Sequence, residues 1–229
     1  MPETKPENFE WAVPAELGIP PDPLRLRLDF HHQAVVMTTF QEETVTRKVV
    51  SAMDVAHALA GELSFGSGLL PDRTLWWRNT RSGPVIAIYD EPQVRPLALL
   101  EDVGTPPRRF MVPLPGLIFL CRPGSPPWVY AVKKKPTKEA DTVYKAPLAN
   151  VFSTGRTCPG THDFPTRVAD IVQSFFTSFF SPTADLHNRS NKFPQNIIRL
   201  WAHLDKKKRF PMADLVKHGT VHDLMEMEM

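Results

Sequence analysis

The chain has 229 residues, 42% of them hydrophobic, enough to bury a sizeable core in one large domain or in a domain with an appendage. A formal net charge of +2 gives no general case for nucleic-acid binding. Two cysteines do not make a disulfide framework, and no apolar run reaches the roughly 18 residues that span a membrane.

Residues 1–23 hold six prolines and few periodic apolar positions, which predicts an irregular arm. Residues 1–10 are polar and carry no charged-then-apolar leader, so the expectation is a cytoplasmic protein with free thiols. From Leu24 the pattern changes. "LRLRLDF" alternates, with Leu24, Leu26, Leu28 and Phe30 on one face. "QAVVMTTF" and "TVTRKVV" are rich in β-branched residues, so residues 24–50 read as an antiparallel ribbon or three-stranded meander. A larger domain is expected over 51–220, with a fraying tail at 221–229.

"SAMDVAHALAGEL" opens that domain as a helix. Ser51 is its N-cap, Asp54 stands near its start, and Val55, Leu59 and Leu63 line one face, with His57 on the same helix. "TLWWRNT", "VIAIYD", "PLALL", "RRFMVPLPG", "LIFLC" and "WVYAVKK" follow, separated by turn residues. They predict an antiparallel meander of about four strands. Cys121 ends the continuous apolar run "LIFLC" and reads as a buried small hydrophobe. The basic runs Lys133–Lys135 and Lys206–Arg209 read as solvated ends of a strand and a helix.

Residues 136–164 show neither period, yet they hold Tyr144, Pro147, Asn150, Phe152 and Cys158. So many anchors in an aperiodic stretch suggest an ordered loop carrying a site. "DFPTRVADIVQSFFTSFF" then predicts an amphipathic helix. Asp163 or Thr166 would cap it, Pro165 would sit in its first turn, and Val168, Ile171, Val172, Phe175, Phe176 and Phe179 would face inward. "PQNIIRLWAHLDKKK" predicts a second helix with Ile197, Ile198, Trp201 and Leu204 inward. Cys158, placed just before the first of these helices and two residues from Arg156, sits where a thiolate would be favoured. Gly155 and Gly160 allow another backbone to approach closely. Position alone leaves Cys158 open, as a nucleophile or as a small loop residue. A Cys158/His162 metal site lacks further ligands nearby, and no metal or organic cofactor is expected.

The stretch Leu148-Ala149-Asn150-Val151-Phe152-Ser153-Thr154-Gly155-Arg156-Thr157-Cys158 resembles the active-site loop of ubiquitin-conjugating enzymes, roughly His-Pro-Asn-Val-Tyr-x-x-Gly-x-x-Cys. Asn, Val, an aromatic residue, Gly and Cys fall in register; Leu148-Ala149 stands in place of His-Pro. With "PLPGLIFLCRPG", "WVYAVKKKP", "SFFTSFF" and "IRLWAHLDKKKRFP", most of residues 24–220 resembles family D of the prokaryotic branch, known as PRTRC system protein B.

The resemblance implies an α+β fold: a ubiquitin-conjugating-enzyme-like antiparallel β-meander packed against helices, with an N-terminal β-ribbon extension. It implies a bacterial conjugation pathway in which Cys158 takes a ubiquitin-like protein from a ThiF-like activating enzyme as a thioester. It also implies a JAB-type peptidase nearby. Asn150 would then donate to a developing oxyanion or shape the loop as an Asx turn. His187 and His162 are candidate bases, each with a surface reading beside it. Asp163 would orient an incoming lysine or cap the helix. Two other functions are compatible with these residues. One is a non-catalytic adaptor on the same fold. The other is a papain-like cysteine hydrolase, which would need a histidine such as His187 or His203 within reach of Cys158.

Overall fold

β-branched alternation dictates the first part of the chain. The computed structural model describes residues 26–32, 34–41, 44–56, 69–80, 83–102, 104–182, 186–227 and 229. The chain divides into two compact units, residues 1–68 and 69–229. In the first, β1 (Leu26–Phe30), β2 (Val35–Gln41) and β3 (Thr44–Val50) form an antiparallel sheet in sequence order, with Leu28 opposite Met37 and Val36 opposite Val49. Leu26 and Phe30 are exposed, so the alternation of β1 does not bury its whole apolar face. Ser51 caps the next element as expected: its Oγ accepts from the Asp54 N–H at 2.9 Å, and residues 52–56 are helical. The arm at 1–23, and His57, Leu59 and Leu63, lie outside the described residues.

The second unit is built on a six-stranded antiparallel sheet in the order β11-β10-β9-β8-β5-β4. Its strands are β4 (Thr74–Thr80), β5 (Gly83–Asp90), β8 (Gly116–Cys121), β9 (Trp128–Val132), β10 (Thr142–Lys145) and β11 (Lys217–Thr220). The meander of about four strands expected from the sequence is corrected in two ways. First, β5 pairs directly with β8. The intervening β6 (Gln93–Leu99) and β7 (Arg108–Leu114) leave the sheet as a ribbon of their own. Pro96 and Pro113 explain this, since a strand lacking an N–H cannot be hydrogen-bonded on both sides. Second, β10 lies within the segment that showed no period. Its four residues are too few to reveal alternation, and its pairing with β9 and β11 supplies the order.

Two helices cover one face of this sheet. In α1 (Val168–Thr177), Ile171, Phe175 and Phe176 are buried. The helix does not start at Asp163 or Thr166: its N-cap is Arg167, which makes no side-chain bond there. The preceding residues are held extended, with the Pro165 carbonyl accepting from the Gly124 N–H at 3.0 Å. The chain leaves the helix at Ser178. Phe180 joins the edge of β6 through Phe180 N–H to Ala98 O (2.9 Å) and Leu100 N–H to Phe180 O (2.7 Å). Phe179 therefore points to solvent, 58% exposed, contrary to the expected stripe.

Helix α2 (Ile197–Leu204) is capped by Asn196, whose side chain accepts from the Ile198 N–H. Its Trp201 packs edge-on against Phe180 at 5.3 Å, as Phe119 of β8 does against Phe175. Leu97, Leu99, Phe110 and Val112 of the β6–β7 ribbon complete this core. The opposite face of the sheet, with Ala87, Ile118, Leu120, Tyr130 and Val132, is covered by Val221 and Leu224 of α3 (Val221–Glu226). Residues 221–226 of the expected tail form this helix, started by a reciprocal capping box between Thr220 and Asp223. The architecture is α+β, as expected.

Candidate active site

Cys158 stands eight positions after Asn150, and the backbone shows what that spacing is. The Cys158 N–H donates to the Asn150 carbonyl at 2.7 Å, Val151 bridges Thr157, and the Phe152 N–H donates to the Arg156 carbonyl at 2.8 Å. The Gly155 N–H closes the turn onto the Phe152 carbonyl at 2.9 Å. Residues 150–158 are thus a tight hairpin: three residues out, a turn, three residues back. Its register sets Asn150 directly opposite Cys158 at the open end. Such hydrogen-bonded pairs have Cα atoms about 5.5 Å apart and side chains on the same face. Val151 and Thr157, on the other face, are buried, while Phe152 and Arg156 are exposed. Cys158 is half-buried.

The hairpin is fixed from beneath. The Val129 N–H donates to the Gly155 carbonyl at 2.7 Å, and the Tyr130 hydroxyl donates to the Thr154 carbonyl at 2.7 Å. The Thr157 hydroxyl donates to the Pro127 carbonyl. Gly155 has φ +92°, and a Cβ there would run into the Tyr130 ring. Glycine is the residue that satisfies both conditions. Burial pushes the Tyr130 phenol up, so it stays a neutral donor.

The residues before Asn150 are fixed from the side. Leu148 and Ala149 are fully buried in the helical core, where the resembling loop has His-Pro. The Pro147 carbonyl accepts from the Trp201 indole N–H at 2.8 Å, and the Leu148 carbonyl accepts from the Arg189 guanidinium. Arg189 is itself 1% exposed. Its neighbours are anchored to the 212–215 segment: the Ser190 hydroxyl donates to Asp214 at 2.6 Å, and the Asn191 amide donates to the carbonyls of Ala213 and Leu215. Rigidity that a proline would give through its ring comes here from burial and two long-range hydrogen bonds. Nothing in the sequence singles out Arg189, which reads there as part of a polar loop.

Asn150 is 4% exposed, and its side-chain oxygen has no hydrogen-bond partner. An orphan acceptor of this kind costs about 1–3 kcal/mol unless something donates to it. The other predicted residues are placed differently. His162 Nε2 sits 2.7 Å from the Ser174 hydroxyl of α1, and its ring packs edge-on against Phe164. Asp163 is exposed in the extended segment before α1. His187 is exposed in the loop leading to α2. Cys158 lies ten residues before the first residue of α1, so the helix-end environment expected from the sequence is not its setting, since that effect fades within one turn. The Arg156 guanidinium instead lies over the Trp128 ring at 5.8 Å.

An antiparallel sheet whose central strands run into a pinned Asn-to-Cys hairpin and then into two helices on one face is the arrangement of a ubiquitin-conjugating-enzyme-like protein. Residues 50–218 match the family model of prokaryotic E2 family D, E2 being the ubiquitin-conjugating class, and the chain belongs to that family. No curated protein and no solved structure matches it. Membership places the chain within ubiquitin-like conjugation. Among the described residues, no helix is long and apolar enough to cross a membrane.

Proposed function

We propose that this protein is a thioester-forming carrier of a ubiquitin-like protein in a bacterial conjugation pathway, with Cys158 as the acceptor. The observation that carries the reading is the hairpin register, which sets Asn150 opposite a half-buried Cys158. The Cys158 thiolate attacks the C-terminal carbonyl of the modifier held on a ThiF-like activating enzyme. A carbon–sulfur bond forms to Cys158, and the activating enzyme's thiolate leaves. A nucleophile of the final acceptor then attacks the same carbonyl, and the Cys158 thiolate departs. ATP is consumed by the activating enzyme, so this chain needs no metal or organic cofactor. Asn150 donates from its amide to the oxyanion of the second step, a contribution worth about 3 kcal/mol for one such donor.

His187 and Asp163 are the candidates for handling the incoming proton. His162 would first have to leave Ser174. A JAB-type peptidase would reverse the modification, and the PRTRC assignment, the transferase activity and the cytoplasmic location travel with this reading.

The His162–Ser174 contact favours a second reading, a non-catalytic adaptor that binds the ubiquitin-like protein or the activating enzyme. One experiment separates the two. The protein is mixed with its ThiF-like enzyme, the ubiquitin-like protein and ATP, and run on a non-reducing gel. A thiol-sensitive band heavier by one modifier, absent in Cys158→Ala and present in Cys121→Ala, supports the carrier. Binding without any such band supports the adaptor.

A further inference from the structure

The β6–β7 ribbon buries one face and shows the other. Leu97, Leu99, Phe110 and Val112 point into the core. The alternate residues, Val94, Pro96, Ala98, Arg109 and Met111, lie on the opposite face, with Pro96 paired to Met111 and Ala98 to Arg109. Met111 is 44% exposed. An open groove of about 490 Å³ crosses this ribbon, lined by Pro96, Ala98, Met111 and Phe179, with Arg109 and Lys206 at its rim. A second groove, about 360 Å³, continues along β7 past Pro113 and Phe210, with Lys208 and Arg209 on its wall.

The ribbon cannot recruit a partner by adding a strand. On the β7 edge, the Met111 N–H donates to the Asp205 carboxylate at 2.7 Å, its carbonyl accepts from the Lys206 N–H at 2.9 Å, and Pro113 has no N–H. On the β6 edge, Pro96 has none either, and the Ala98 carbonyl is taken by Phe180. What is left for recognition is side-chain surface. The apolar part is Met111, Phe179 and the prolines. The charged part is cationic: Arg109, Lys206, Lys207, Lys208 and Arg209 are all exposed. Asp205, the one carboxylate on the groove wall among the described residues, is engaged with Met111.

We propose that this face docks an acidic, apolar segment of a partner protein, with its large side chains in the two grooves and its carboxylates on the 206–209 run. Strand β7 has seven residues, at roughly 3.4 Å each, so a segment of about five to eight extended residues fits along it. Two separate concave grooves with proline and aromatic walls favour a peptide over a bilayer, which would meet a flat or convex apolar face, and over nucleic acid, which would leave the apolar pockets empty. None of these residues belongs to the Cys158 hairpin, so the proposal stands or falls apart from thioester formation.

The test uses the full chain and a fluorescein-labelled decapeptide alternating Glu with Leu and Phe, read by polarisation at 50 and 300 mM NaCl. Controls are the same peptide with Lys for Glu, vesicles of phosphatidylserine and phosphatidylcholine, and a 20-nucleotide single strand. The expected result is saturable binding of the acidic peptide alone. It should weaken at least about tenfold in Arg109→Glu/Lys206→Glu, and about tenfold in Phe179→Ser, where exposure makes misfolding no concern. Circular dichroism and iodoacetamide labelling of Cys158 should be unchanged in both variants. Equal binding of the two peptides, or binding indifferent to both variants, overturns the proposal. So does displacement of the peptide by vesicles or by the nucleic acid. Self-association in sedimentation that Phe179→Ser abolishes would assign the face to a second copy of this chain and likewise overturn it.

Discussion

The two cysteines sit in contrasting surroundings, Cys121 buried and Cys158 half-buried. Cys121 ends the central strand β8, paired to Ile86, with no solvent exposure, and burial alone pushes its thiol far up. Cys158 closes a hairpin whose backbone is pinned at both ends, and the residue is half-buried. Both sit in rigid surroundings. In one, rigidity serves to exclude water. In the other, it holds a half-buried thiol opposite an asparagine. Rigid placement of a partly exposed thiol therefore does not require that the thiol itself be buried; its neighbours Leu148, Ala149, Val151 and Thr157 are buried in its stead.

The contrast is broken most directly by alkylation. Iodoacetamide should modify Cys158 in the native protein and reach Cys121 only through opening of the sheet. Opening of a stable core is rarer than about one part in 10³, so a rate ratio above about 10³ is expected by mass spectrometry of the tryptic peptides. Comparable rates would end the distinction.

The next effect tests whether the hairpin is held as described. Gly155→Ala adds a Cβ into the Tyr130 ring at φ +92°. It should cost about 2–4 kcal/mol in urea unfolding, overpacking and backbone strain together. Asn150→Ala should leave loading of Cys158 intact and slow discharge to an amine by about 10²-fold, the loss of one oxyanion donor. Because it also deletes an orphan buried acceptor, it should be neutral or stabilising in the same urea assay. Trp201→Phe leaves the Pro147 carbonyl without its donor and should cost about 1–3 kcal/mol.

How much of this was legible beforehand follows the range of the interactions. The spacing from Asn150 to Cys158 was legible only through its resemblance to a known loop; the hairpin that joins them was not, since three residues a side show no alternation. The face of α2 and the cap at Ser51 were readable because they are fixed locally. The start and end of α1 were misplaced because contacts distant in sequence decide them. Gly124 holds Pro165 extended, and Ala98 draws Phe180 out of the helix. β10 owes its existence to partners at 128–132 and 217–220, and the separation of the β6–β7 ribbon from the sheet follows from its prolines. The Thr220-to-Asp223 capping box was a local signal that went unread. Arg189 was invisible, since nothing in its own segment shows that its guanidinium ends beneath the loop carrying Asn150.

The smallest expected effect is in pH. Burial holds the His218 imidazole below the ordinary histidine range, Lys145 adds to this, and Asp223 opposes it. The ring leans on Tyr130 at 4.9 Å, under the hairpin. A folded state that binds a proton less readily than the unfolded chain loses stability as pH falls below about 6.5 and keeps it above. Urea midpoints between pH 5 and 7.5 should therefore slope downward on the acid side, and His218→Gln should flatten that slope. An unchanged slope in the variant would place the titration elsewhere.

The measurement that bears most directly on the central claim is the intact mass of the protein after incubation with its ThiF-like enzyme, the ubiquitin-like modifier and ATP. Wild type and Cys121→Ala should each gain one modifier less one water, and hydroxylamine should remove it. Cys158→Ala should gain nothing. A hydroxylamine-labile adduct that persists in Cys158→Ala, or that disappears in Cys121→Ala, would contradict the assignment of Cys158 as the carrier.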